Sequence, residues 1–120
     1  MTHSEYWYSK NYSFPQYIET MKGIGFPVFH AIGNHDYCHK VADDTADAQY
    51  KAALGPTYYS FNLGSIHYIV LDDMVYKGAN SYAARIDDRQ MEWLRRDLAA
   101  MDPAVRDVVV GMHVPTVSGL

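Results

Sequence analysis

Pro27-Val28-Phe29-His30-Ala31-Ile32 runs without a break into Gly33-Asn34-His35-Asp36. The first part is a short, nearly all-apolar run, which predicts a strand buried on both faces in a sheet covered by other layers. The second part stops it. Gly, Asn and Asp are ordinary turn residues, but a histidine set among them at a strand end carries chemical interest, because layered α/β proteins build their sites in the loops after strands.

The segments on either side of this stretch predict a layered architecture. Upstream, Ser13-Phe14-Pro15-Gln16 reads as a helix start, with Ser13 as cap, Gln16 closing a capping box and Pro15 in the first turn. Phe14, Tyr17, Ile18 and Met21 then form one apolar stripe, ended by Gly23 and Gly25. Downstream, a helix is expected from about Asp44 to Leu54, closed by Gly55 and Pro56. Tyr58–Asn62 and Ile66–Leu71 flank Leu63-Gly64-Ser65 and read as a β-hairpin, ended by Asp72-Asp73. Met74 to Ile86 shows no clear period and is read as a loop. Asp87-Asp88-Arg89-Gln90 opens the most regular helix, with Met91, Leu94, Leu98 and Met101 as its buried stripe and Trp93 beside it. Asp107–Met112 is a last strand, with His113-Val114-Pro115 at its end. The order α, β, α, hairpin, α, β argues for one layered α/β domain, and the hairpin makes its sheet mixed.

Composition narrows the partners. Apolar residues make up 48% of the chain, enough to build a core. The net charge of −4 and the lack of a basic stripe argue against nucleic acid. No apolar run is long enough to span a bilayer, and no basic cluster stands beside an apolar helix, so no membrane partner is expected. Met1 is followed at once by polar and aromatic residues, so no signal peptide is expected here. A single cysteine, Cys38, excludes an internal disulfide framework and reads as a plain free thiol. His30 and His67 lie within strands and are read as core histidines. Oligomeric state is not legible.

Asn34 and His113 follow two different strands, and would approach the same space if those strands are neighbours. Imidazole suits zinc, iron and manganese alike, and an Asn amide oxygen is a hard neutral ligand that completes such a shell. Asp36, directly after His35, is placed to orient an imidazole or stabilise its charged form.

Gly33-Asn34-His35-Asp36 matches the G-N-H-[DE] motif of the calcineurin-like metallophosphoesterases, and Gly111-Met112-His113-Val114-Pro115 resembles their later G-x-H-x-P strand end. The hairpin through Tyr58-Tyr59-Ser60-Phe61 and Tyr68-Ile69-Val70-Leu71-Asp72, and the helix around Gln90-Met91-Glu92-Trp93-Leu94, are similar to that family too. Within that family the chain resembles the bacterial, Bacteroides-type secreted phosphohydrolases. The resemblance implies an αββα layered sandwich with a central hairpin. It also implies two divalent metal ions (Zn, Fe or Mn) that activate a bridging hydroxide and clamp a phosphoester substrate. By the same resemblance Asn34 and His113 ligate one of those metals, His35 protonates the leaving oxygen, and Asp36 holds His35. A periplasmic or secreted parent would follow.

The family also uses an early D-x-H motif, a G-D motif and a late G-H-x-H motif, and none of them occurs in residues 1–120. The chain therefore reads as a single partial domain, 1–120, expected to lack pieces at both ends and to expose strand edges. Two functions stay open. One is a fragment of a metal-dependent phosphomonoester or phosphodiester hydrolase. The other is a catalytically inactive α/β fragment or interaction module that keeps only the scaffold.

Overall fold

The computed structural model describes residues 13–38, 45–78 and 81–116. Among these residues three helices accompany a small mixed sheet and a separate two-stranded sheet. In chain order these are α1 (Ser13–Lys22), a 3-10 turn (Asn34–Asp36), α2 (Ala48–Leu54), β1 (Tyr59–Leu63), β2 (Ile66–Val70), β3 (Met74–Tyr76), β4 (Tyr82–Ala84), α3 (Asp88–Ala99) and β5 (Asp107–Gly111). Among the described residues no helix is long and apolar enough to cross a membrane.

The hairpin forms as the sequence reads it. β1 and β2 pair antiparallel with Phe61 opposite Tyr68, and Gly64 takes the positive φ that the turn needs. β5 adds to β2 in parallel, with Tyr68 opposite Val109, so the strand order is β1-β2-β5. Residues paired across strands share a face. One face therefore carries Phe61, Leu63, Tyr68 and Val109, and the other carries Ser60, Asn62, His67 and Ile69.

α3 covers the second face through polar contacts. The Asp97 carboxylate accepts the Ser60 hydroxyl at 2.6 Å and meets His67 Nε2 at 2.8 Å. His67 Nδ1 lies 2.6 Å from Asn62 Oδ1, so the buried His67 is the hydrogen-bonded core histidine expected of it. At the start of α3 the Asp87 carboxylate caps the Gln90 N–H at 2.7 Å. The Gln90 side chain points into the structure. It accepts the Asp72 N–H at 2.9 Å and donates to the Asp72 carbonyl at 2.7 Å, which replaces a strand partner just beyond β2.

A second cluster holds the other layer. Phe14 of α1 meets Tyr50 of α2 edge-to-face at 6.1 Å, and Ile32, Tyr37, Ala46 and Tyr76 complete the cluster. Gly55 ends α2 at φ 96°, its N–H bonded to the Lys51 carbonyl.

Four expectations need correction. Pro27–Ile32 is extended but joins no ladder among the described residues. Ile32 is buried while Phe29 is 54% exposed, so the run is not buried on both faces. Its position is held instead by the Tyr59 hydroxyl, which accepts the His30 N–H and donates to the His30 carbonyl, both at 2.8 Å, and by Phe29 stacking on Phe61 at 4.0 Å. Residues 74–86 are not an irregular loop: β3 and β4 pair there, with Val75 opposite Ala83, because Val and Tyr carry strand preference even over three residues. The second helix begins at Ala48, after a turn at residues 45–47; Asp44 lies outside the described residues. In α3 the buried residue is Gln90, while Leu98 of the predicted stripe is 40% exposed. The proposed cap at Ser13 rests on a side chain outside the described residues.

β5 is exposed along its whole length, with Val108, Val109 and Val110 open. An apolar cleft of about 290 Å³ runs along its face beside Phe29, Phe61, Leu63 and Tyr68. β5 is one edge of this sheet and β1 the other.

The Gln90 pin yields a stability prediction. Gln90→Ala leaves the Asp72 N–H and carbonyl without partners in a buried setting and is expected to cost about 3 kcal/mol. Urea unfolding followed by far-UV circular dichroism measures it; a loss below about 0.5 kcal/mol, ordinary for a surface position, would contradict the pin.

Candidate functional site

The two polar turns meet. The 27–32 segment delivers the 3-10 turn Asn34–Asp36, and β5 delivers His113 two residues past Gly111. Asn34 Oδ1 stands 3.0 Å from His113 Nε2. The residues are 79 apart in sequence, so the contact is set by the fold and not by the local chain. His35 and Asp36 line the same cleft of about 290 Å³, whose far wall is Phe14, Tyr17, His30 and Tyr50.

Local chemistry builds the turn. The Gly33 carbonyl accepts the Asp36 N–H at 3.0 Å, and the Asp36 carboxylate accepts the Gly33 N–H, also at 3.0 Å. Asp36 thus closes the turn that carries Asn34 and His35. Gly33 itself has an ordinary extended backbone, with φ −126°. Its role is space: a Cβ built there would lie 2.9 Å from His113 Nδ1 and 3.2 Å from Cγ. The His113 ring therefore lies flat against a position that only hydrogen can occupy.

His113 is also held from behind. Asp73 is 5% exposed, and its carboxylate accepts the His113 N–H at 3.1 Å and the Val114 N–H at 2.7 Å. In the sequence Asp72-Asp73 reads as a plain strand end. The two residues separate in the structure: Asp72 accepts the Tyr37 hydroxyl at 2.8 Å, and burial pushes its carboxyl above the usual range. Only Asp73 reaches the site. No signal in a pair of adjacent acids marks which of them faces a neighbouring strand end.

The cleft wall contains two buried polar atoms without a hydrogen-bond partner, Tyr50 Oη and His30 Nε2. Burial holds the His30 imidazole below the usual histidine range, against the opposing pull of Asp36. His30 packs edge-to-face on Tyr17 at 5.5 Å; its ring is a packing histidine whose second nitrogen is unsatisfied.

An amide oxygen and an imidazole nitrogen that converge at 3.0 Å are a donor pair one divalent ion can share, if it takes the place of the proton between them. The pair is two donors only. Among the described residues no cluster of three or more His, Cys, Asp or Glu side chains is arranged around a metal position. The donor chemistry fits one side of a metal shell and does not complete it. Cys38 is a half-buried free thiol outside this pair.

No family model, no curated protein and no solved structure matches this chain.

The steric role of Gly33 is testable. Gly33→Ala is expected to leave the fold intact and to turn the His113 ring off Asn34, which abolishes nuclear Overhauser contacts between the two side chains. An alanine variant that keeps those contacts at wild-type intensity would contradict it.

Proposed function

We propose that this chain carries part of the active site of a metal-dependent phosphoester hydrolase of the calcineurin-like kind. The observation that supports the reading best is the 3.0 Å approach of Asn34 Oδ1 and His113 Nε2, with His35 on the same cleft. The extended segment 27–32 lying across the apolar face of β1-β2-β5, with Phe29 stacked on Phe61, supports the finer αββα reading, because facing layers of a sandwich meet through such contacts.

In this reading Asn34 and His113 hold one divalent ion of zinc, iron or manganese type. A metal bound there supplies Lewis-acid activation of the phosphoester and of the attacking water. His35 stands in the cleft beside the ligand pair and gives a proton to the leaving oxygen. Asp36 fixes the turn and so the place from which His35 acts. The open side of the cleft admits a phosphoester.

A second reading, a catalytically inactive α/β module, is favoured by one observation: two donors do not hold a dinuclear centre. The two readings part on metal binding before turnover. Mn²⁺ added to the ¹⁵N-labelled chain is expected to broaden resonances of Asn34, His35 and His113 selectively, and His113→Ala is expected to abolish that selectivity. Uniform broadening, or a selective response unchanged in His113→Ala, would refute the metal site. Enzyme-like turnover of bis-p-nitrophenyl phosphate by the 120-residue chain alone is not expected, and robust metal-dependent turnover would show that the ligand set is larger than this pair.

A further inference from the structure

We infer that Asp73 is a positioning residue of this site: it aims the His113 imidazole at Asn34 without itself facing the cleft. β2 and β5 run parallel, so the chain leaves both strands on the same side of the sheet. The Leu71 N–H still bonds the Gly111 carbonyl at 2.9 Å, one step past the ladder. Beyond that point regular pairing stops, and Asp73 comes to lie beside His113 and Val114.

There its carboxylate replaces the ladder. Oδ1 takes the His113 N–H and Oδ2 takes the Val114 N–H, two consecutive amides on one side chain. Bonds of this kind to an ionised carboxylate are about twice as strong as neutral ones. Two fixed N–H directions in a row set the backbone torsions of His113, and so the direction of its Cα–Cβ bond. Pro115 has no N–H to offer and fixes its own φ, so the exit from the turn is restricted as well. Asp73 is in turn held in place, since its carbonyl accepts the Arg85 N–H at 2.9 Å. The ring that leaves this clamp rests against Gly33, with Nε2 on Asn34.

Asp73 does not belong to the ligand pair. It is buried, it does not line the cleft, and both of its oxygens are committed to backbone amides. It acts through His113. The metal consequence rests on the phosphoesterase reading above; the aiming of the ring does not.

The test uses the ¹⁵N-labelled 120-residue chain as wild type, Asp73→Ala and Asp73→Asn, first without metal. In wild type the His113 and Val114 amides are expected to exchange slowly, and the His113 ring to show contacts to the Asn34 side chain. Asp73→Ala is expected to speed exchange of both amides by about tenfold or more and to remove the ring contacts, while the amides of His67 and its β2 neighbours keep wild-type protection. Asparagine offers one acceptor oxygen, so Asp73→Asn is expected to release one of the two amides and retain the other. Added Mn²⁺ then gives a second readout: half-broadening at His113 is expected to need about tenfold more metal in Asp73→Ala. Wild-type exchange and wild-type ring contacts in Asp73→Ala overturn the inference, and so does a loss of protection that spreads evenly over β2 and β5. Should Asp73→Ala not fold, Asp73→Asn decides, and protection retained on both amides overturns it. A wild-type chain that ignores Mn²⁺ but shows the expected exchange pattern refutes the metal reading and leaves the role of Asp73 standing.

Discussion

Strands that run parallel must leave their sheet on the same side, and in this chain that requirement brings three distant segments together. β5 lies beside β2 in parallel, so the turn after β5 meets the turn after β2. Asp73 from one then binds His113 from the other. The intervening β3, β4 and α3 supply the return path that a parallel pairing needs. Were β5 antiparallel to β2, His113 would emerge at the opposite edge, away from Asn34 and from Gln90's hold on Asp72. The site is therefore a consequence of strand direction before it is a consequence of any single side chain.

The two faces of the sheet are treated differently. α3 satisfies polar groups on one face, where Asp97 serves both Ser60 and His67. The other face carries Phe61, Leu63, Tyr68 and Val109 and is crossed by residues 27–32. Aromatic stacking and the Tyr59 hydroxyl hold that segment in place of a strand neighbour. Val109 at 45% exposure shows how far the face stays open. Tyr50 Oη and His30 Nε2 are buried beside the same segment without partners, at a cost of about 1–3 kcal/mol each. Two unpaired polar atoms thus lie beside the segment that carries Asn34, His35 and Asp36, while the valines of β5 are open on both faces of the sheet.

The readable parts of the fold were those whose physics is local. The Gly64 turn and the alternation around it marked the hairpin, and Asp87 with Gln90 marked the start of α3. The approach of Asn34 and His113 was legible only in part: both residues follow apolar runs, but the 27–32 run brings Asn34 in from across the sheet face and not as a neighbouring strand. What the sequence left hidden depended on tertiary partners. Whether Pro27–Ile32 joins a ladder depends on neighbours that its own composition does not name. β3 and β4 are too short to show a period. Gln90 looked like half of a capping box, and its side chain serves Asp72 because that strand end needs both a donor and an acceptor. Gly33 looked like a turn glycine, yet its φ is ordinary and its small size serves a ring from the far end of the chain.

The central claim is that Asn34 and His113 are two ligands of one metal position. Crystals of the chain soaked in Mn²⁺ and measured for anomalous scattering address it directly. The expected result is a peak about 2.0–2.3 Å from both Asn34 Oδ1 and His113 Nε2, the range of metal–oxygen and metal–nitrogen bonds, with the Asp73 carboxylate still on its two amides. A peak bound elsewhere, with the Asn34–His113 contact undisturbed, would contradict it.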